Sequence, residues 1–370
     1  MTPVSVQYTS GTTSRPKGVL WTHANALWAA RVNAVHEDLH PSDCHLTYLP
    51  LFHVNALGYQ MLASMWVGSR FVLVPKWSTS RFWDVSVQHG CTWVSLMGLS
   101  HRALASGATG EIPVGHAYRL FGSGVCDTPM DSAFGIKTIG WWGMTETISH
   151  PVVGNPYTPD RPMSMGRAAT EYQVAVVRDD GVTPVEPEET GHLLVRGTPG
   201  LSLFAGYLNQ PAATAGSFDE AGWFRTGDRV TVHADGYLSF ADRAKDMLKV
   251  GAENVAASEI ERVILETGLV AEVAVVGRPD DKLDEVPVAF VVPLRPGESL
   301  AAEVKAVCTE RLADFKVPRA VYAVRDFPRS TLNKVNKAEL RKVAHADADR
   351  TAAEVQWLSA ARSDPSGDAR

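Results

Sequence analysis

A dense polar loop near the start of the chain places the strongest constraint on its fold. Residues 8–19 read Tyr-Thr-Ser-Gly-Thr-Thr-Ser-Arg-Pro-Lys-Gly-Val, with a short apolar run on either side. This arrangement predicts strand, loop and strand. Small residues let backbone N–H groups approach a ligand, hydroxyls donate hydrogen bonds, and Lys17 adds a positive charge. The loop suits a polyphosphate, but its composition fits a flexible turn equally well, and the spacing of a Walker A loop is absent.

The composition excludes several classes of protein. The 370 residues carry a net charge of -6, so no basic excess indicates nucleic-acid binding. Four cysteines occur without a C-x-x-C pair, which argues against a zinc site or a disulfide framework and fits a reducing compartment. No signal peptide and no membrane-length apolar run is visible, so we expect a cytoplasmic protein without nucleic-acid or membrane partners.

Apolar patterning predicts a parallel α/β sheet in the first half of the chain, because strands and helices alternate there at regular lengths. In such sheets ligands bind at the carboxyl ends of strands. His53 follows one predicted strand, although a lone histidine is more often structural than functional. Gly122, Ser123 and Gly124 follow another, in a turn open to close ligand approach.

A second dense segment runs from Trp141 to Thr147 at the end of a predicted strand. Trp142 could stack on a base, Thr145 could bond a phosphate oxygen, and Glu146 could hold Mg²⁺. A buried tryptophan pair followed by a helix-capping Thr-Glu is the structural alternative.

From Glu171 onward the strands alternate apolar and polar residues, which predicts an antiparallel subdomain. Asp228 falls in a Gly-flanked turn and is either a ribose ligand or a turn aspartate. Charged and apolar residues alternate from Asp242 to Asn254, as in a solvated linker. A small α+β domain follows, in which Ser258 and Glu261 form a predicted capping box.

Together these stretches resemble the adenylate-forming superfamily of acyl-CoA synthetases, nonribosomal-peptide adenylation domains and luciferases over about residues 4–342. The Thr-Ser-Arg-Pro-Lys of the loop, Phe71–Trp77 and Gly143–Ile148 look closest to crotonobetaine/carnitine–CoA ligase-like proteins. The resemblance implies an α/β fold with an N-terminally shortened large domain, which combines a parallel sheet with an antiparallel subdomain, followed by a small mobile α+β domain. The expected parts are an ATP- and acyl-binding part (1–170), the antiparallel subdomain (171–244), the mobile C-terminal domain (245–345) and a polar tail (346–370).

The resemblance also implies a role for each matching residue. Thr9, Ser10, Gly11, Thr12, Thr13 and Lys17 would hold the ATP phosphates, and Gly122, Ser123, Gly124, Trp142 and Gly143 would lie beside adenine. Thr145 would contact the α-phosphate, Glu146 would bind Mg²⁺, and Asp228 and Arg243 would bind the ribose. His53 and Trp141 would line the acyl pocket, Lys334 would be the catalytic lysine, Lys245 the hinge, and Lys249 part of a loop that serves the thiol step.

The implied reaction has two halves. A carboxylate attacks the α-phosphorus of ATP to give acyl-AMP and pyrophosphate. The small domain then rotates about Lys245, and a thiol, expected to be that of CoA, attacks the acyl carbon. Trp141 stands where relatives often have a small residue, so we expect a short pocket that takes a small or planar acid. Two alternatives remain open: an adenylating enzyme that uses an amine, a carrier-protein thiol or nitrite, and a non-catalytic nucleotide-binding remnant.

The sequence departs from the family pattern in its length before the phosphate loop and at single positions. The phosphate loop begins at residue 8, whereas relatives carry a long preceding segment. The chain is therefore a fragment, has a misplaced start or is naturally short, and a short form would need to cover an exposed sheet edge, for instance by forming a homo-oligomer. Asn333 and Ala252 replace glycines that are common in relatives.

Overall fold

The computed structural model describes residues 2–9, 16–105, 112–243, 247–250, 253–295, 299–329 and 335–346. These residues separate into two compact units, which divide between Phe240 and Ala241. None of the helices in the described ranges combines the length and the apolar character that a membrane span requires.

The strands of the first unit are short and numerous. In chain order they are β1 (Pro3–Tyr8), β2 (Gly18–Thr22), β3 (Cys44–Thr47), β4 (Arg70–Leu73), β5 (Trp93–Ser95), β6 (Leu120–Ser123), β7 (Lys137–Trp142), β8 (Val152–Val153), β9 (Arg167–Ala168), β10 (Gln173–Val177), β11 (Thr190–Arg196), β12 (Gly206–Tyr207), β13 (Phe224–Val232) and the first half of β14 (Leu238–Arg243), whose last three residues belong to the second unit.

The helices of the first unit mostly connect the parallel strands. They are α1 (His23–His36), α2 (Ala63–Val67), α3 (Phe82–His89), α4 (Gly98–Ala105), α5 (Pro129–Phe134) and α6 (Pro211–Ala215). A π-helix (Asn55–Leu62) precedes α2, and a 3₁₀ turn (Thr79–Arg81) precedes α3.

A seven-stranded sheet organises the first unit, in the order β4-β3-β5-β6-β7-β8-β9. The pairs from β4 to β7 are parallel, as the alternation of strands and helices predicts, and the pairs β7–β8 and β8–β9 are antiparallel. One face packs a core with Leu46, Phe82 and Phe121, and the other packs Trp93, Trp141 and Ala63. The sheet therefore has apolar cover on both faces, which suits parallel strands.

Two antiparallel sheets complete the first unit. One has the order β10-β11-β13-β14, which is the subdomain expected from Glu171 onward, and the other has the order β1-β2-β12. Thr22 caps helix α1, because its Oγ1 accepts from the backbone N–H of Asn25 at 3.0 Å and the Asn25 side chain accepts from the Thr22 N–H at 2.9 Å. This reciprocal cap fixes the direction in which the chain leaves the hairpin.

The second unit is a small α+β fold with its own core. Its elements are β15 (Met247–Val250), β16 (Glu253–Ala256), α7 (Ala257–Leu265), β17 (Val270–Asp280), β18 (Asp284–Pro293), α8 (Leu300–Arg311), the 3₁₀ turn Asp314–Lys316, β19 (Ala320–Ala323) and α9 (Lys337–Ala346). Its sheet has the order β16-β15-β18-β17, with β19 paired to β18. Helices α7 and α8 share an apolar core with this sheet.

Two sequence-based expectations in this region are wrong. The stretch expected to be a linker ends β14 and forms the β15–β16 hairpin, because its alternation buries Leu248 and Val250 and exposes Lys249. Ser258 is not a helix cap. Helix α7 begins at Ala257 with Ala256 at the cap position, and the Ser258 hydroxyl donates to the carbonyl of Ala241 instead.

Candidate functional site

Lys17, Tyr207 and Glu146 form a continuous row of contacts within the first unit. The Lys17 Nζ lies 4.5 Å from the centre of the Tyr207 ring, and the Tyr207 hydroxyl donates to Glu146 Oε1 at 2.9 Å. Pairing of β12 with β2 places Tyr207 beside Val19 and so brings it near Lys17. Burial, together with the nearby Glu146 charge, raises the Tyr207 pKa well above its usual value. The phenol therefore stays protonated and acts as the donor.

Trp142 and Asp228 form a second pair in the same unit. The indole Nε1 donates to Asp228 Oδ2 at 2.9 Å, and both residues are only 7% exposed. The expectation of a turn at Asp228 is wrong, because the residue lies within β13. Gly227 beside it has φ of 76°, a conformation that favours glycine and locally bends the strand. The pair joins the end of β7 to the antiparallel subdomain.

The segment after β7 is held by backbone contacts as well. The Trp21 Nε1 donates to the carbonyl of Thr145 at 3.0 Å, and the Phe204 N–H donates to the carbonyl of Glu146 at 2.9 Å. A Cβ at Gly143 would lie 2.6 Å from the Ser149 carbonyl oxygen, so only glycine fits there. Thr145 and Glu146 therefore leave the strand in a fixed direction.

The two ends of the polar loop are pinned together. The Thr9 N–H donates to the Lys17 carbonyl at 3.0 Å, and the Lys17 N–H donates to Thr9 Oγ1 at 3.1 Å. The strand–loop–strand prediction is confirmed by the antiparallel pairing of β1 with β2. Ser10, Gly11, Thr12 and Thr13 lie outside the described residues.

Gly122 has a packing role that the sequence does not reveal. A Cβ on Gly122 would lie 1.8 Å from the Trp141 ring, because that ring crosses directly over β6. Ser123 is buried at the end of β6, whereas a Cβ on Gly124 would meet no atom within 4 Å. The predicted turn therefore begins later than expected, because Gly122 and Ser123 belong to β6, and the space beside the backbone is open at Gly124 and closed at Gly122.

Trp141 lies in the middle of an aromatic stack. Its ring is 5.7 Å from that of Trp93 at 13°, and 4.6 Å from that of His150 at 8°. Tyr59 from the π-helix packs edge-on against His150 at 4.1 Å. Burial, helped by the nearby His36, lowers the His150 pKa well below its usual value, so its ring stacks as a neutral imidazole. We call these four residues the aromatic stack.

His53 lies where the chain turns from β3 toward the π-helix. Its Nδ1 accepts from the Asn55 N–H at 3.2 Å, and its carbonyl accepts from the Leu57 N–H at 3.0 Å. Its ring is partly exposed. His53 thus helps to start the π-helix that carries Tyr59.

The predicted site residues of the second unit are less fully described. Lys249 is exposed on β15, and its backbone N–H donates to Glu285 Oε2 at 3.0 Å. Arg243 ends β14, but its side chain lies outside the described part of the chain, as do Lys245 and Lys334.

Sequence reasoning did not identify Tyr207, Trp93, Tyr59 or His150. Tyr207 occurs in a two-residue strand without a motif, and its proximity to Glu146 depends on β12 pairing with β2. The aromatic stack joins residues from β5, β7, the π-helix and the segment after β7, so no local spacing could have shown it. Glycine at 122 opposite tryptophan at 141 is a signal only once β6 and β7 are known to be neighbours.

Two family models match the chain. The AMP-binding enzyme model matches residues 1–208, and the model of the AMP-binding enzyme C-terminal domain matches residues 259–334. The chain belongs to the AMP-binding enzyme family. The adenylate-forming resemblance drawn from the motifs is therefore confirmed.

Proteins similar to the chain include crotonobetaine/carnitine–CoA ligases. The chain is 34% identical to the crotonobetaine/carnitine–CoA ligase of Salmonella paratyphi C over 342 residues, which cover 91% of this chain and 66% of that protein. It is 36% identical to the Proteus mirabilis protein of the same name, over 92% of this chain and 68% of that protein. The chain thus spans about two thirds of the length of these relatives.

Two solved structures of similar fold contain ATP with magnesium or an acyl-adenylate. The Bacillus subtilis o-succinylbenzoate CoA synthetase in complex with ATP and magnesium aligns with a TM-score of 0.79 at 31% identity, over 90% of this chain and 69% of that one. The anthranilate CoA ligase AuaEII in complex with anthranoyl-AMP aligns with a TM-score of 0.82 at 26% identity, over 94% and 68%. These matches confirm the predicted fold class.

Proposed function

We propose that this chain activates a small carboxylic acid as acyl-AMP, with ATP and Mg²⁺ as co-substrates and pyrophosphate as product, and then transfers the acyl group to the thiol of CoA. The observation that carries the proposal is that two contact groups, Lys17–Tyr207–Glu146 and Trp142–Asp228, are built on the same apolar core, to which Tyr207 and Trp142 both belong. Four of these five residues were selected independently from sequence motifs for phosphate, metal, base and ribose contacts.

The proposed nucleotide contacts follow from the charges and donors present. Lys17 and the loop that it closes supply positive charge and N–H donors for the phosphates. Asp228, fixed by the Trp142 indole, presents a carboxylate that can accept from a ribose diol. Thr145 and Glu146 leave β7 together, so a hydroxyl and a carboxylate are available to the same phosphate region.

Glu146 fits a magnesium ion that arrives with ATP. Mg²⁺ takes oxygen ligands and is often held by one or two carboxylates plus substrate phosphates. The described residues contain no cluster of three or more His, Cys, Asp or Glu suited to a metal ion, so the carboxylate at 146 matches an ion shared with phosphate. The ion would neutralise charge on the phosphates, while Tyr207 orients the carboxylate through its hydroxyl.

The chemistry of the first step needs little beyond positioning. The acid's carboxylate oxygen bonds to the α-phosphorus as the bond to pyrophosphate breaks, and negative charge spreads over the phosphate oxygens. Lys334, predicted from its motif, would neutralise this charge and hold the acid. In the second step the thiol sulfur bonds to the acyl carbon and AMP leaves, for which Lys249 and its hairpin are the predicted support.

The aromatic stack favours a small or planar acid. The Trp141 ring packs over Gly122 of β6 and against Trp93, and the family resemblance assigns Trp141 to the acyl pocket, so we expect this ring to exclude a longer acyl chain. Trp141→Gly should extend the accepted chain length, at a stability cost of about 3–5 kcal/mol from the cavity. A panel of straight-chain acids in a pyrophosphate-release assay measures the change, and an unaltered acid profile in a folded variant would contradict this use of Trp141.

The decisive test of the proposed function is a panel of acids, with nitrite included, in the same assay, with product mass measured with and without CoA. We expect pyrophosphate release with one class of small acid and a CoA thioester when CoA is present. Glu146→Gln should abolish release, and Glu189→Gln, at an exposed carboxylate paired with Arg178, serves as the matched control. Release without a thioester would point to another acceptor, and absence of ATP–pyrophosphate exchange with every acid would contradict adenylation.

A further inference from the structure

A concave cleft lies at the outer edge of the parallel sheet, beside strand β4. Its volume is about 250 Å³. The cleft is bounded by the ends of β3 and β4, the loop after β4 and the first turns of α3. We call it the edge cleft, and its lining comprises Leu46, Tyr48, Val74, Pro75, Lys76, Trp77, Ser78, Arg81, Phe82 and Val85.

The walls of the edge cleft are built as an apolar surface. The Trp77 ring packs against Tyr48 at 4.9 Å and against Phe82 at 5.2 Å. The polar atoms of Trp77 and Tyr48 already have hydrogen-bond partners. The Trp77 Nε1 donates to Thr79 Oγ1 at 2.9 Å, and the Tyr48 hydroxyl bonds Ser100 Oγ at 2.5 Å. Ring faces and aliphatic groups therefore remain to contact an occupant.

The size and lining of the edge cleft resemble those of a small ligand pocket. Ligand pockets of about 300–1,000 Å³ are apolar and aromatic with a few polar groups that orient the ligand. The edge cleft approaches that size and matches that character, so it suits a ligand of one or two rings.

The charge at the rim defines the chemistry of the occupant. The charged residues of the lining are Lys76 and Arg81, both cations with exposed side chains. An anionic group at the rim would therefore be attracted, and a second cation would be repelled. A guanidinium also matches the planar, two-oxygen geometry of a carboxylate or a sulfonate.

The edge cleft is separate from the aromatic stack. Leu46 and Phe82 belong to the core on one face of the parallel sheet, and Trp93 and Trp141 belong to the core on the other. A connection nevertheless exists, because the Met97 N–H donates to the Tyr48 hydroxyl at 3.0 Å. The Asn55 amide then contacts the Met97 sulfur at 3.7 Å, at the start of the π-helix that carries Tyr59.

We propose that the edge cleft is a second binding site, which takes a small organic anion with an aromatic or branched apolar body, such as an aryl carboxylate or sulfonate. The apolar body lies against Trp77, Phe82 and Val85, and the anionic group lies at the rim beside Lys76 and Arg81. This site is independent of the proposed acid-activating reaction, and its existence is tested by binding alone.

The probe for this site is 8-anilinonaphthalene-1-sulfonate, an aromatic anion whose fluorescence rises on binding, titrated into the full chain. Val85→Trp fills the cleft, and Val87→Trp is the matched control, since Val87 is on the same helix, 43% exposed and outside the cleft lining. We expect Val85→Trp to weaken binding by at least about tenfold and Val87→Trp to leave it unchanged. Ser78→Trp, in the loop at the rim, is the second filling variant if Val85→Trp does not fold.

A second experiment tests whether the edge cleft prefers an anion. Arg81→Gln should weaken binding of the sulfonate by about fivefold at low salt, and it should not change binding of the uncharged N-phenyl-1-naphthylamine. Arg70→Gln, at an exposed arginine on the neighbouring β4, is the control. Equal binding of the sulfonate by wild type and both filling variants would overturn the site. Equal losses for the sulfonate and the neutral probe would overturn its preference for anions.

Discussion

Gly122 shows how one residue without a side chain sets the shape of the predicted acyl region. The ring of Trp141 lies where a Cβ would be, so Gly122→Ala should destabilise the fold by about 3 kcal/mol through overpacking. Gly124→Ala is the matched control, because a Cβ there meets no atom within 4 Å. Urea unfolding of both variants measures the difference.

The same contact can be tested by compensation. Combined with Trp141→Gly, the Gly122→Ala change should cost less than it does alone, because the closest contact, with the Trp141 ring at 1.8 Å, is gone, although the contact with the Trp93 ring at 2.6 Å remains. Additive losses in the double variant would show that the two residues do not share this space.

The two contacts of the Tyr207 side chain, one through its ring and one through its hydroxyl, can be tested separately. Tyr207→Phe keeps a ring beside Lys17 but removes the hydroxyl that donates to Glu146. We expect a loss of about 1.5 kcal/mol, or about tenfold in the rate of acyl-AMP formation, because a hydrogen bond to a charged group is lost. Tyr207→Leu removes both contacts and should lose more. ATP–pyrophosphate exchange measures both, and equal activity of the Phe variant and wild type would exclude a role for the hydroxyl.

At the scale of elements, helix α1 is joined to the segment before β10 by an ion pair. The His36 Nε2 lies 3.0 Å from Glu171 Oε2, and the hydrogen bond from His36 is the main cause that lowers the Glu171 pKa from 4.5 to about 2. A carboxylate with a depressed pKa stabilises the fold above its ordinary pKa and loses that contribution as the pH falls toward the folded value.

Glu171→Gln should therefore be less stable than wild type at about pH 5, and the two proteins should converge between about pH 4.5 and pH 2. Unfolding by urea across this range measures the gap. Glu220→Gln, at an exposed carboxylate in the same unit, is the control. A gap that stays constant with pH would mean that the ionised carboxylate is not the source of the stability.

The elements differ in how well the sequence predicts them. Strands β3, β5, β6 and β7 and helices α2 and α3 are predictable because apolar periodicity and loop lengths determine them locally, whereas the short helix α5 between β6 and β7 is not predicted. The expectation of a linker from Asp242 to Asn254 fails because alternating charged residues fit a solvated linker and the exposed face of a hairpin equally well. Ser258 was misread because a serine with Glu three residues later satisfies the capping pattern, while the helix itself begins one residue earlier.

The residues of the candidate site also differ in how well the sequence predicts them. Lys17, Trp142, Glu146 and Asp228 were identifiable from local motifs, and the structure brings them into one unit. Tyr207 and the aromatic stack depend on which strands are neighbours, and pairing between distant strands leaves no local trace in the sequence. The roles assigned to Lys17, Trp142, Glu146 and Asp228 remain predictions, as do those of Arg243, Lys245, Lys249 and Lys334.

At the scale of the whole molecule, the two proposed half-reactions should respond to different lysines. Lys334→Ala should abolish formation of acyl-AMP from acid and ATP but retain thioester formation from supplied acyl-AMP, because the proposed role of Lys334 is to hold the acid and the α-phosphate in the first step, before the small domain rotates. Lys249→Glu should show the opposite preference, and Lys282→Ala, at an exposed lysine between β17 and β18, is the control. Equal loss of both half-reactions in each variant would contradict a division of labour.

The near-parallel indoles of Trp93 and Trp141 also give the molecule an optical property of its own. Two chromophores 5.7 Å apart and tilted by 13° couple their electronic transitions. The circular dichroism of the protein, which has ten tryptophans, should therefore differ from the sum of the signals of its separate indoles. The difference spectrum between wild type and Trp93→Phe would isolate that coupled signal. Binding of any compound that separates the two rings would then change this signal and could be detected without a label and without turnover.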